Sequence, residues 1–271
     1  MTEGVVTIPA LQQMKRDGRK IVGVVAYDYQ MAQIVDRAGV DIVSVGDSVG
    51  INLWGQQSEL EVTLDQMILA CRAVRRGVKR ALVSCDFPYG ALQGGTEAAV
   101  AAAIRIVKEA GADMVKLDGA SAFPEAVGAI DRAGIPVWAQ FGITPHTALR
   151  YGGMKKAGPE LATEKKDHLL EEAKILESAG ASMLDFTNSG PVAGPMVTQA
   201  VAIPVLGGLG GGPWLDGRVR ALFTALGYLA AAIDDDTERY ANVARISLDA
   251  IKTYADDVRG GRQLRGAQPK A

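Results

Sequence analysis

Short runs dominated by Val, Ile, Leu and Ala alternate along the chain with longer amphipathic stretches, and a glycine-containing turn closes most of the latter. The apolar runs are Ile21–Tyr27, Asp41–Asp47, Arg80–Asp86, Met114–Asp118, Pro136–Gly142, Ser182–Asn188 and Pro204–Gly208. Their low internal polarity marks strands covered on both faces, as in a parallel sheet. Helical periodicity fills the intervals, at Tyr29–Ala38, Thr63–Arg76, Thr96–Ala110, Pro124–Ala133, Thr163–Ala179 and Gly217–Leu229. Thr63 and Gln66 predict a capping box at the head of one helix. Thr96-Glu97 opens another with a carboxylate at its positive end. Ala38-Gly39, Ala110-Gly111, Ala133-Gly134 and Ala179-Gly180 close helices where glycine accepts the left-handed turn into the next strand.

Repeated strand–helix units without a central linker predict an α/β fold, a single-domain (β/α)8 TIM barrel, in a chain of 271 residues. The barrel is expected over residues 1–260, and a Gly/Arg/Gln-rich tail over 261–271 is expected to fray. An open doubly wound sheet is the alternative, but a G-x-G-x-x-G after the first strand is missing. Ala230–Ile233 is the only candidate for the eighth strand, ahead of a final helix over Arg239–Val258.

Composition narrows the function. With 48% hydrophobic and 22% charged residues the chain is built to fold rather than to stay disordered. Lys+Arg 29 against Asp+Glu 31 gives no electrostatic reason to expect nucleic acid or an anionic membrane as partner. No apolar run approaches the roughly 20 residues of a membrane span. The polar N-terminus, broken by Pro9, lacks a signal-peptide layout, so a cytoplasmic protein is expected. Two cysteines, Cys71 and Cys85, make neither a disulfide framework nor a zinc site.

In a barrel the chemistry sits at the C-terminal ends of the strands. Asp28, Asp47, Asp86 and Asp118 all fall there. One such Asp is ordinarily a helix N-cap; several converging on one rim repel unless a cation joins them. Oxygen-only ligands suit a hard ion such as Mg²⁺. Lys116 and Asp118 alternate about Leu117 and face the same side, where a lysine is costly unless it meets an anion. A 2-oxo acid satisfies both groups, the metal taking its carboxylate and keto oxygens and Lys116 offsetting enolate charge. The segment from Gly207 to Gly212 reads either as a phosphate or ligand cradle or as a flexible loop. Gly152-Gly153-Met154-Lys155-Lys156 has the look of a lid. His146 is assigned to a cap or surface role ahead of catalysis, and His168 to solvent. The Arg75-Arg76 and Lys79-Arg80 cluster is read as structural, and Trp54 and Trp138 as packing residues.

From about Leu11 to Val258 the chain resembles the ketopantoate hydroxymethyltransferase family. The resemblance rests on Ala26-Tyr27-Asp28-Tyr29, Val45-Gly46-Asp47-Ser48-Val49-Gly50, Val62-Thr63-Leu64-Asp65 and Ala73-Val74-Arg75-Arg76-Gly77. It continues through Asp86-Phe87-Pro88, Val115-Lys116-Leu117-Asp118-Gly119, Gly142-Ile143-Thr144-Pro145 and Gly152-Gly153-Met154-Lys155. It implies a barrel of the phosphoenolpyruvate mutase and isocitrate lyase type, with a terminal helix exchanged between subunits of a homo-oligomer. It further implies that Asp47 and Asp86 ligate Mg²⁺ (or Mn²⁺), with Asp118 supporting it through water. Ser48 and Lys116 then hold the 2-oxo acid, with Tyr27, Asp86 and Gln140 beside it. The implied reaction removes a β-proton from 3-methyl-2-oxobutanoate and adds the enolate to a one-carbon unit from 5,10-methylenetetrahydrofolate.

The chain departs from that pattern at the sixth strand. Thr187 stands where the family carries a Glu, and threonine is no carboxylate base at neutral pH. Gln140 replaces a His, Asp118 shortens a Glu, and Gly207–Gly212 replaces Gly-Ile-Gly-Ala-Gly. The metal and oxo-acid half of the site is therefore retained, and the half serving proton transfer and the second substrate is rebuilt. Asp185 shares a strand face with Thr187, as a supplied carboxylate or as a buried structural one. Lys116, Asp185 and Thr187 are the catalytic candidates. The family reaction, a related reaction on another 2-oxo acid (free formaldehyde, retro-aldol or decarboxylation) and a silent oxo-acid-binding paralogue are the readings carried forward.

Overall fold

The computed structural model describes residues 4–153 and 159–262. The first of its two compact units ends at Ala221 and holds the whole sheet. Eight parallel strands close into a barrel in sequence order: β1 Ile21–Val25, β2 Ile42–Val45, β3 Leu82–Asp86, β4 Met114–Asp118, β5 Val137–Gly142, β6 Met183–Thr187, β7 Val205–Gly207 and β8 Gly217–Ala221. The intervening segments carry α2 Tyr29–Arg37, α3 Val49–Trp54, α4 Leu64–Gly77, α5 Thr96–Arg105, α6 Pro124–Arg132, α7 Pro159–Glu164, α8 Lys166–Ser178 and α9 Ala193–Ala200. The capping box at Thr63 and Gln66 forms as expected, each side chain accepting from the other residue's backbone N–H.

Parity along the strands explains both floor and mouth. Ile21, Ile42, Leu82, Met114, Trp138, Met183, Leu206 and Val219 point inward and form one buried apolar cluster at the barrel's lower end. Burying such side chains is worth about 1.5–3 kcal/mol each. Two residues up each strand the inward positions turn polar or small: Ser44, Ser84, Lys116, Gln140, Asp185 and Gly208. A further step up reaches Asp86, Asp118 and Thr187. Hydrophobic at the bottom and ionisable at the top, the interior concentrates its chemistry at the strands' C-terminal ends.

An N-terminal helix that the sequence did not announce seals the floor. In α1, Ile8–Arg16, Thr7 caps the N-terminus and Pro9 occupies the first turn, where a missing N–H costs nothing. Leu11 and Met14 join the floor cluster, and Lys15 pairs with Asp216 at 2.9 Å.

The eighth strand corrects the sequence expectation. Gly217–Leu229 was expected as helix and Ala230–Ile233 as strand; instead Gly217–Ala221 is β8 and Ala230–Ala232 a single 3₁₀ turn. The reason is the period of two in Gly217-Arg218-Val219-Arg220-Ala221, where both arginines are exposed and Val219 is buried.

The second unit begins at Leu222. It contains α10 Leu222–Ala225 and α11 Val243–Arg259, the latter capped by Asn242 accepting from the Arg245 N–H. Residues 263–271 of the expected tail lie outside the described residues. Among the described residues no helix is long and apolar enough to cross a membrane.

One polar side chain ties several barrel elements together. Asp36 in α2 accepts from the backbone N–H groups of Lys79 (2.9 Å), Arg80 (3.1 Å) and Ala81 (2.8 Å) at the entry to β3. Burial opposes its charge, but these donors hold its carboxyl below the usual range. Its contribution is therefore present above about pH 4 and lost as pH falls through the lowered value. Asp36→Ala is expected to lower stability by about 2–3 kcal/mol at neutral pH, read by urea unfolding; an unchanged midpoint would show that water replaces the carboxylate.

Candidate active site

Lys116 lies at the centre of the barrel mouth. Its Nζ sits 3.3 Å from Asp86 Oδ2, 3.2 Å from Asp185 Oδ2 and 2.6 Å from Gln140 Oε1. It also lies 5.5 Å from the centre of the Trp138 ring. Burial disfavours its charge, yet Asp86, Asp185, Asp118 and Asp47 together hold its pKa above the ordinary lysine value. The group is a fixed ammonium, not a nucleophile.

Asp185 is engaged through both oxygens, Oδ2 with Lys116 and Oδ1 with the Gly208 N–H at 3.2 Å. Gln140 in turn donates from Nε2 to Thr187 Oγ1 at 3.1 Å. The two sequence departures, Gln140 and Thr187, are thus bonded to each other and, through Gln140, to Lys116.

Three further carboxyls surround Lys116: Asp86 on the neighbouring β3, Asp118 on β4 itself and Asp47 after β2. Asp86 takes the Ser44 hydroxyl at 3.2 Å on Oδ1. Desolvation first, relieved by Lys116 and reinforced by Asp47, pushes its carboxyl up to about 7. Burial likewise raises Asp118, partly offset by His146, and Asp118 Oδ1 is buried without a hydrogen-bond partner among the described residues. Asp47 accepts or shares a hydrogen bond with His146 Nε2 at 2.8 Å.

His146 is the residue that sequence reasoning misplaced. Rather than capping a helix or facing solvent, its side chain is 4% exposed, with Nδ1 4.0 Å from Asp118 Oδ2 and its ring edge-on to Tyr89. Burial works against protonation, but the Asp47 hydrogen bond and the fields of Asp118, Asp47 and Asp86 raise its pKa. The available signal was position: Thr144-Pro145-His146 follows the end of β5, on the chemical rim.

A hydroxyl pair completes the mouth. Tyr27 Oη and Ser48 Oγ are 2.8 Å apart, and Asn52 donates to the Ser48 carbonyl at 2.8 Å. Asp28 takes the plain role open to it, capping α2 by accepting from the Met31 N–H. His168 is solvent-facing, 3.4 Å from Glu172, and Arg75 is structural, pairing with Asp113 at 2.8 Å. Trp138 packs fully in the floor, whereas Trp54 is 37% exposed, against the packing role expected of it. In the Gly207–Gly212 loop a Cβ on Gly211 would lie 2.7 Å from the Gly207 carbonyl, so close packing of the chain on itself demands glycine there. Met154, Lys155 and Lys156 of the expected lid lie outside the described residues.

Among the described residues, no three His, Cys, Asp or Glu side chains are gathered as a ready protein-only metal cage. Mg²⁺ does not need one, because it keeps several waters and takes one or two carboxylates directly. Oxygen donors, an orphaned buried Asp118 oxygen and a desolvated Asp86 carboxyl fit such an ion.

Comparisons with known proteins converge. The family profile described as ketopantoate hydroxymethyltransferase matches residues 5–263. A 3-methyl-2-oxobutanoate hydroxymethyltransferase from Cyanothece sp. is 41% identical over 255 residues, covering 94% of this chain and 96% of that protein. One of the same name from Pyrococcus furiosus is 39% identical over 259 residues, covering 95% and 89%. Among solved structures, phosphonopyruvate hydrolase in complex with oxalate and Mg²⁺ superposes with a TM-score of 0.62 at 13% identity, covering 95% of this chain and 89% of that one. For 2,3-dimethylmalate lyase, a member of the PEP mutase/isocitrate lyase superfamily, the TM-score is 0.58 at 14% identity, covering 98% and 91%. At such identities these structures speak to the fold alone.

Proposed function

Because the chain belongs to the ketopantoate hydroxymethyltransferase family, we propose that it joins a one-carbon unit to the carbon beside the ketone of a branched 2-oxo acid, as 3-methyl-2-oxobutanoate is converted to ketopantoate. The observation that carries this reading is the gathering of Asp47, Asp86 and Asp118 around the interior ammonium of Lys116 at one barrel mouth. Asp47 and Asp86, supported by Asp118, would hold a divalent cation, which when bound would supply positive charge that makes the C–H beside the ketone acidic. His146 positions Asp47 by hydrogen bond and fixes the direction of its free lone pairs. The Tyr27 and Ser48 hydroxyls hold the carboxylate end of the oxo acid. Lys116 meets the negative charge that builds on the keto oxygen, and Asp185 keeps the ammonium in place. On α11 the exposed Ile246, Ile251, Tyr254 and Val258 support a homo-oligomer.

Incubation with Mg²⁺ and 3-methyl-2-oxobutanoate in D₂O is expected to exchange the β-proton with no second substrate present, followed by loss of its NMR signal. An absence of exchange for this and related branched oxo acids would reject enolisation at this site.

A further inference from the structure

The Lys116 ammonium has three N–H donors and no acceptor, and three oxygens of the protein stand ready to take them. Gln140 Oε1 lies at 2.6 Å, Asp185 Oδ2 at 3.2 Å and Asp86 Oδ2 at 3.3 Å. The Trp138 ring, 5.5 Å from Nζ, lies along a further side. The ammonium is therefore fully engaged by its own chain. An oxo acid that arrives at the mouth finds no N–H to receive, unless one of the three partners first withdraws.

Two of them are tied at both ends. An ammonium only donates, so the Gln140 amide must turn its oxygen to Lys116, and its NH₂ then donates to Thr187 Oγ1 at 3.1 Å. Asp185 holds the Gly208 N–H on Oδ1 at 3.2 Å, and its side chain is only 3% exposed. Asp86 differs. Its contact with Lys116 is the longest of the three, its side chain is 14% exposed, and its other oxygen takes only the Ser44 hydroxyl, at 3.2 Å. It is also the one partner for which the reading above provides a second positive charge.

We propose that the Lys116–Asp86 ion pair is an interlock: it keeps Lys116 closed to the oxo acid until Asp86 turns to a divalent cation, and so makes binding sequential, cation first and oxo acid second. This rests on the reading above of Asp86 as a cation ligand and Lys116 as the oxo-acid contact, and adds the order in which they act. The N–H that Asp86 gives up is the one directed at β3, the strand at whose end the cation belongs. At each stage the interior ammonium faces an anion, the carboxylate before and the substrate oxygen after, so the cost of a bare buried charge is avoided. The cation and the oxo acid are then coupled through Lys116, and each raises the affinity for the other.

The test measures binding of 3-methyl-2-oxobutanoate to the full chain by isothermal titration calorimetry, with Mg²⁺ loaded or with divalent cations stripped. The stripped parent is expected to bind at least about tenfold more weakly than the loaded one. Direct contact between oxo acid and cation predicts the same, so the stripped variants decide. Asp86→Asn and Asp47→Asn each remove one negative charge from the mouth, but only the first loosens Lys116. Stripped Asp86→Asn should bind the oxo acid about tenfold more tightly than the stripped parent, the scale of one charge-assisted hydrogen bond. Stripped Asp86→Ala, which leaves no acceptor at all, should bind at least as tightly. Stripped Asp47→Asn should stay within about threefold of the parent, the scale of a screened charge at a partly open mouth. Equal gains in Asp86→Asn and Asp47→Asn reduce the effect to lost repulsion and overturn the interlock alone. So does an Asp86→Asn variant without gain, or a stripped parent that binds as tightly as the loaded one. Absence of binding to the Mg²⁺-loaded parent removes the reading of the site, and the interlock with it.

Discussion

Asp86→Asn is expected to fold, to bind divalent cations at least about 10²-fold more weakly, and to turn over about 10³-fold more slowly than the parent protein. The substitution keeps the shape at the end of β3 and removes the charge. It also presents an amide NH₂ or a neutral oxygen to Lys116 where a carboxylate lay 3.3 Å away. In the parent protein, desolvation above all pushes the Asp86 carboxyl up to about 7. Cation binding must displace that proton, so parent affinity rises as pH climbs through about 7; the variant lacks this dependence. Stability without metal separates site loss from misfolding. A carboxyl raised above its unfolded value of about 3.9 binds more protons when folded. Its contribution is complete below about pH 4 and is lost as pH rises through about 7. Asparagine never ionises, so the metal-free variant should match or exceed parent stability above pH 7. Mn²⁺ titration followed by electron paramagnetic resonance between pH 6 and pH 8 reads the first effect, and urea unfolding the second. Tight Mn²⁺ binding with the parent's pH profile would remove Asp86 from the cation site.

The strand positions at this site were readable because burial and chemistry follow one period. Lys116 and Asp118, like Asp185 and Thr187, are two apart on strands whose intervening residues, Leu117 and Phe186, are wholly buried. That alternation by itself determines which side chains share the barrel interior. His146 escaped because it sits on a loop, where no period relates a residue to its neighbours; only the return of the chain over Asp118 brings its ring to Asp47. The first helix escaped for a different reason. Its buried apolar residues are Leu11 and Met14, with Ile8 packed beside them, and their partners are the inward side chains of strands far along the sequence. β8 was mistaken for helix because Arg218 and Arg220 interrupt the apolar run that identified its seven fellows, and because a strand of five residues gives the period of two little room. Nor did sequence alone reveal the direction of the Lys116–Gln140–Thr187 bonds. That followed only once an obligate donor was seen beside an amide.

Lys116→Met carries the largest expected cost to the fold. The ammonium lies between Asp86 and Asp185 and has 10% side-chain exposure, against 3% for Asp185. Removing one partner of a buried ion pair costs about 3–5 kcal/mol, because a charge is left without compensation. At about 2–4 °C per kcal/mol for a chain of this size, Tm should fall by roughly 6–20 °C. Activity should vanish as well: with no ammonium to hold its oxygen, the Gln140 amide is free to turn, and the bond from Gln140 to Thr187 loses its fixed direction. The double variant Lys116→Met/Asp185→Asn separates these effects. A neutral amide at 185 keeps an oxygen for the Gly208 N–H and leaves no stranded charge at that position. Part of the lost stability should therefore return, with a coupling of about 0.5–3 kcal/mol between the two sites, while turnover stays absent. Recovery of turnover together with the fold would mean that the ammonium merely balances Asp185 and never meets the substrate.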